Sequence, residues 1–177
     1  RRLSSRMEIL FTPWRLAYLT GETGGAGEGC LFCRLHRFGD AEGLVVHRGA
    51  AVYAVLNRYP YSTGHLMVTP YAHHGSLGSM TVEVRSELME VAARAERILG
   101  DEYACHGLNV GFNLGRSAGA GIPGHAHLHV VPRWDGDTNF MTVVGGTRTL
   151  PEDLAVTRER LARGFVRAAS ARPEGPA

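Results

Sequence analysis

Histidines at 125, 127 and 129 alternate with Ala126 and Leu128 and run on into Val130 and Val131. Successive side chains of a β-strand leave on opposite faces, so this alternation puts three imidazoles on one side and an apolar strip on the other. The run HAHLHVVP, 125–132, is therefore read as a strand with one chemical face, and its apolar side needs a core beneath it. A chain of 177 residues, 44% of them hydrophobic, has enough material for one domain with a substantial core.

Other short apolar runs bounded by turn residues surround this strand. GLVVH (43–47), AVYAVLN (51–57) and HLMVTP (65–70) read as an antiparallel meander, and GLNVGFNLG (107–115) and NFMTVVGG (139–146) as further strands. Thr81 precedes VEVRSELMEVAARAERIL, whose apolar residues recur every three or four positions, which predicts a helix over about 82–99. Pro151 is read as opening a second helix, PEDLAVTRERLARGFVRAASA, since proline is tolerated in a first turn. Grouped strands with two separate helices predict an α+β fold built on an antiparallel sheet. The glycine-rich GETGGAGEG (21–29) closes an N-terminal segment, 1–28, ahead of the main domain, 29–177. Met7 reads as a start and residues 1–6 as an extension.

The charge balance narrows the function classes. A net charge of +2 gives no basic surface of the density a general nucleic-acid binder needs, so no nucleic-acid partner is expected. All 19 basic residues are arginine, which excludes mechanisms that rest on a Schiff-base or P-loop lysine. No apolar run is long enough to span a bilayer, and the N-terminal apolar stretch is too short for a signal peptide, so no membrane partner is expected either. Three cysteines, two of them in CLFC (30–33), suit a reducing, cytoplasmic setting.

Local motifs limit the chemistry further. GAGIPG (119–124) matches the dinucleotide fingerprint letter for letter, but a strand follows it where that fingerprint needs a helix, and Pro123 interrupts it. As a tight turn it can still offer backbone N–H groups to an anion. The three histidines do not suit a single metal ion. Same-face neighbours on a strand stand about 6–7 Å apart and the outer pair about twice that, too far for one tetrahedral centre. CLFC reads as half of a zinc site that two histidines would complete, or as a redox pair, although no thioredoxin-like βαβ pattern accompanies it. Cys105 reads as a core thiol.

HAHLHVV resembles the motif of the histidine triad (HIT) family of nucleotide hydrolases and transferases. The resemblance runs from CLFC through NRYPYSTGHLMVTPYAH to HVVPRW at 134, and GFNLGRSAGAGIPGHAHLHVVPRWDGDTNFMTVVGG is similar to the bacterial branch that includes diadenosine tetraphosphate phosphorylases. It implies a HIT-like homodimer whose two sheets join edge to edge. His127 would be the nucleophile on the α-phosphorus of a dinucleoside polyphosphate, forming a nucleotidyl-histidine that inorganic phosphate or water then releases. The implied substrate is an adenine dinucleotide or mononucleotide. By the same resemblance His129 helps hold the phosphates and His65 stands near the active centre.

Asn57 matches the position that contacts ribose hydroxyls, and Asn113 the position that contacts phosphate. Many relatives carry a Gln-Ser or Gln-Thr pair just before the triad. Here the backbone of Gly119, Ala120 and Gly121 would take over that role. Trp134 either stacks on a base or packs at the strand end. Zinc-binding relatives imply a closed structural Zn2+ on Cys30, Cys33, His73 and His125, with His74 an alternative to His73. The remaining readings are a hydrolase of nucleoside phosphoramidates or dinucleoside triphosphates, and a nucleotide-binding regulator with little turnover.

Overall fold

The computed structural model describes residues 29–138, 144 and 151–170, which fall almost wholly within the compact unit Glu28–Asp137 and Leu150–Ala177. Its chain order is α1 (Leu31–Leu35), β1 (Val45–Arg48), β2 (Val52–Leu56), β3 (Leu66–Pro70), α2 (Val82–Tyr103), β4 (Gly107–Phe112), β5 (Leu128–Arg133) and α3 (Leu154–Ser170). The strands form one antiparallel sheet in the order β1-β2-β3-β5-β4. This is the α+β sheet architecture that the grouping of strands and helices predicts.

The period-two rule sorts the side chains. Val52, Ala54 and Leu56 of β2, Leu66 and Val68 of β3, and Leu128 and Val130 of β5 join one core with Leu88, Val91, Ala95, Ile98 and Leu99 of α2 and Leu161 and Phe165 of α3. Tyr53, Val55 and Met67 point the other way and pack with Phe32 of α1 and Val45. The central strands are thus buried on both faces, and His129, between Leu128 and Val130, lies on the α1 side. Gly164 lets α3 press onto α2, since a Cβ there would stand 2.5 Å from a methyl of Ile98.

The structure corrects three sequence expectations. The ladder of β5 begins only at Leu128, opposite Val68, so His125, Ala126 and His127 precede it. The register Leu66↔Val130 continues to Pro70 opposite Ala126, and proline has no N–H to extend the pairing. Other groups hold the backbone there: the Ala126 N–H donates to the His74 carbonyl, and the Thr69 hydroxyl donates to the Ala126 carbonyl at 3.1 Å. Pro151 does not open the second helix. Asp153 does, its carboxylate accepting the Ala155 N–H at 2.7 Å ahead of Leu154. α2 also runs beyond 99, to Tyr103, and ends on Ala104 in the left-handed region. The strand expected at 139–146 and the segment 1–28 lie outside the described residues. Among the described residues no helix is long and apolar enough to cross a membrane.

His47 on β1 stacks on Phe165 with ring centroids 4.7 Å apart, and Arg94 reaches its Nε2 from α2. Burial, followed by the Arg94 charge, lowers its pKa, with a smaller opposing effect from Glu87. The unfolded chain therefore takes up this proton first, from about pH 6.5 downward. Stability present above that pH is lost as pH falls through the folded value, by at most about 1.4 kcal/mol per pH unit. Denaturant titrations at pH 7.5 and 5.5 are expected to show a smaller loss for H47F than for the unsubstituted chain. An equal loss would mean that His47 makes no contribution.

Candidate functional site

The interrupted ladder ahead of β5 puts the histidines into different environments. His125 is fully buried. Its Nε2 lies 3.0 Å from the carbonyl of Pro70, an acceptor only, so Nε2 carries the proton and Nδ1 keeps its lone pair. That lone pair faces two thiols, 3.3 Å from Cys30 Sγ and 3.5 Å from Cys33 Sγ. Nδ1 of His73 stands 3.4 Å from Cys33 Sγ, and the ligand atoms of Cys30, Cys33, His73 and His125 all lie within 4.8 Å of one another. Ligands about 2.0–2.3 Å from a tetrahedral ion stand about 3.3–3.8 Å apart, so the Cys30–His125, Cys33–His125 and Cys33–His73 pairs already have the separations of a zinc site. Burial pushes the pKa of His125 down to about 4, which keeps the imidazole in the neutral state that a ligand requires. Burial and the neighbouring Cys30 raise the Cys33 thiol. His73 completes the cluster, whereas His74 contributes its backbone carbonyl to Ala126.

His127 is 5% exposed, and its Nδ1 lies 2.8 Å from the carbonyl of His125. Nδ1 must donate there, so Nε2 is the nitrogen with the free electron pair. Burial lowers its pKa, against a smaller opposing effect of that hydrogen bond, so the imidazole is neutral near pH 7. His129 meets it edge to face at 4.9 Å between ring centroids. His65, at 0% exposure, accepts the Tyr61 N–H on Nδ1 at 3.0 Å and places Nε2 3.0 Å from Nδ1 of His129. The proton order follows: Tyr61 N–H to His65 Nδ1, then His65 Nε2–H to His129 Nδ1, which leaves His129 with its proton on Nε2. The site thus pairs an unprotonated nitrogen on His127 with an N–H donor on His129, suited to attack on an electrophile and to contact with its anionic oxygens.

The other sequence-selected residues divide. Asn57 adjoins His65: its amide nitrogen is 3.4 Å from His65 Nδ1, and its oxygen accepts the Tyr59 N–H. Asn113 follows the end of β4, half-buried. In the glycine turn the N–H groups of Gly119 and Ala120 already donate to the carbonyls of Arg116 and Gly115, so of the three only Gly121 keeps an N–H not committed to the turn. Trp134 sits past the far end of β5, about 17 Å along the strand from His129. Its indole N–H donates to the Tyr103 carbonyl, which is packing at a strand end.

Two aromatic residues that the sequence reading did not single out belong to the constellation. Tyr61 lies over both His65 and His129, at 4.6 and 6.1 Å between centroids. Phe32, inside CLFC, touches both His125 and His127, at 5.4 and 4.7 Å. Both stand within motifs noticed for other residues, and only the register shows which rings they meet.

A family model described as the HIT domain matches residues 39–136. A Mycobacterium tuberculosis protein named AP-4-A phosphorylase is 43% identical over 168 residues, covering 92% of this chain and 86% of its own length. Protein hit of Bacillus subtilis is 29% identical over 116 residues, 66% of this chain and 79% of its own. Among solved structures, a Zn-bound histidine triad family protein from Mycobacterium smegmatis superposes with a TM-score of 0.65 at 25% identity, over 81% of this chain and 98% of that one.

Proposed function

This chain belongs to the HIT domain family, and on that premise we propose that it cleaves dinucleoside polyphosphates of the diadenosine tetraphosphate type through a nucleotidyl adduct on His127, with inorganic phosphate as acceptor. The observation that carries the proposal is the His127 Nδ1 bond to the His125 carbonyl, which fixes the tautomer and leaves the lone pair on Nε2. In the first step Nε2 bonds the α-phosphorus and the bond from phosphorus to the bridging oxygen breaks. For diadenosine tetraphosphate, ATP leaves and AMP stays on the ring, while Nδ1–H against the carbonyl spreads the positive charge of the adduct. The protonated Nε2 of His129 faces the phosphoryl or leaving oxygens. In the second step a phosphate oxygen attacks the same phosphorus, the N–P bond breaks, ADP departs and His127 returns neutral. Asn57 and Asn113 are assigned to ribose and phosphate contacts, and the Gly119–Gly121 turn, chiefly through the Gly121 N–H, to the incoming phosphate.

We assign Zn2+ to Cys30, Cys33, His73 and His125 as a structural ion. Four protein ligands close its tetrahedron, so it supplies positioning and no open site for substrate. A reducing cytoplasmic location keeps both cysteines available to it. A homodimer joined edge to edge is supported by β4, which has no outer strand neighbour among the described residues and leaves Val110 exposed.

The test is incubation with diadenosine tetraphosphate, with and without inorganic phosphate, and separation of the products. ADP with ATP formed only when phosphate is present is the expected result. AMP with ATP in its absence would make the acceptor water and the protein a hydrolase. Tight nucleotide binding without any product would favour a regulatory binding protein instead.

A further inference from the structure

Of the two residues between the cysteines of CLFC, the second does more than set their spacing. Phe32 is 2% exposed, begins on the metal-binding turn and ends against the His127 ring, 4.7 Å from it at an interplanar angle of 37°. Its backbone is held separately, since the buried Tyr53 hydroxyl of β2 donates to the Phe32 carbonyl at 2.6 Å. Val45, Val55 and Met67 pack around the same cluster. Cys30 and Cys33, two residues before and one after, meet the imidazole of His125, whose carbonyl fixes Nδ1 of His127. The metal-binding turn therefore reaches His127 by two routes, one through the His125 backbone and one through the Phe32 ring.

We propose that Phe32 is a positioning residue for the reaction: its ring holds the His127 imidazole in the orientation that aims Nε2 at the phosphorus, so that the metal-binding turn and the nucleophile move as one body. The inference rests on the reading of His127 as nucleophile. A hydrogen bond at Nδ1 fixes the distance to the carbonyl but leaves the ring free to rock about it, and a face contact from a wedged aromatic removes that freedom. Phe32 touches no substrate in this scheme. Its effect should fall on the chemical step and spare binding.

The experiment compares F32A and F32L with the unsubstituted zinc-loaded protein by three readouts: kcat and KM on diadenosine tetraphosphate, zinc content, and the His127 Nδ1–H proton resonance, identified by its loss in H127Q. The expected result for F32A is a kcat lowered by about tenfold to a hundredfold with KM within about threefold, the scale of a misplaced reacting group. Zinc should stay at about one per chain, the Nδ1–H signal should exchange faster with solvent, and F32L, which fills the space without a ring, should show the same two changes in smaller measure. F32L replaces the ring with a buried apolar side chain and decides the matter if F32A does not fold. Loss of zinc in step with kcat would overturn the proposal, because Phe32 would then act on the metal site. So would an unchanged kcat with an unchanged resonance. Absence of turnover in the unsubstituted protein would refute the nucleophile reading instead, and the proton resonance alone would then show whether Phe32 restrains His127.

Discussion

H127A is expected to lower kcat on diadenosine tetraphosphate by at least about 10⁴-fold, the loss typical of removing a covalent nucleophile, and to leave nucleotide affinity within about threefold. The residual route is direct displacement by phosphate, with neither the adduct nor the nitrogen that forms it. His129 and Asn57 keep their hydrogen bonds to His65, which the Tyr61 N–H holds in turn. The substitution has a structural cost too. It leaves the His125 carbonyl without its donor and opens a void beside Phe32, together about 2–4 kcal/mol. That is tolerable for a domain of ordinary stability, and a thermal melt recorded beside the kinetics separates unfolding from lost chemistry. Imidazole added to a His127→Gly variant should restore part of the rate if the ring is the attacking group. Activity within tenfold of the original in H127A would sink the covalent mechanism and require water or phosphate to attack the substrate directly.

Much of this site was legible in the sequence because its logic is local. Alternation at 125–129 put the imidazoles on one face, the spacing argument denied them a shared metal, and CLFC required two more ligands from elsewhere in the chain. What the sequence could not convey depends on long-range register. Pro70 falls opposite Ala126, so the ladder stops and the Pro70 carbonyl becomes free to fix the tautomer of His125. The same fold brings Phe32 and Tyr61 onto the rings of His127 and His129 across most of the described chain, which no local pattern encodes. The choice of His73 over His74 is of this kind, since adjacent residues are equivalent until the loop after β3 fixes which ring meets the cysteines. For Trp134 the sequence leaves base stacking and strand-end packing both open, and the indole bond to the Tyr103 carbonyl is of the second kind. Pro151 misled because a permissive helix-start residue stands two positions before a stronger cap, Asp153.

Removing the metal is expected to loosen the whole α1 side of the sheet. Purified protein should carry about one zinc per chain, and C33S, or prolonged exposure to a strong chelator, should abolish binding and lower Tm by about 8–16 °C. The magnitude follows from linkage: an ion held at a thousandfold above its Kd contributes about 4 kcal/mol, and each kcal/mol moves Tm by about 2–4 °C in a chain of this length. The topology argues for the upper half of that range. The ion joins Cys30 and Cys33 to His73, 40 residues beyond Cys33, and to His125, which lies 95 residues from Cys30 and 92 from Cys33, so it closes several long loops at one point. Without it, burial and the neighbouring Cys30 disfavour the Cys33 thiolate, and a neutral Cys33 thiol 3.5 Å from His125 Nδ1 is a weak substitute for a coordinate bond. The hydrophobic core on the α2 and α3 side is untouched, so the metal-free chain should remain folded at 25 °C with its far-ultraviolet spectrum largely intact. A preparation that is metal-free as isolated and whose Tm does not respond to chelator or to C33S would show that hydrogen bonds alone hold Cys30, Cys33, His73 and His125 together.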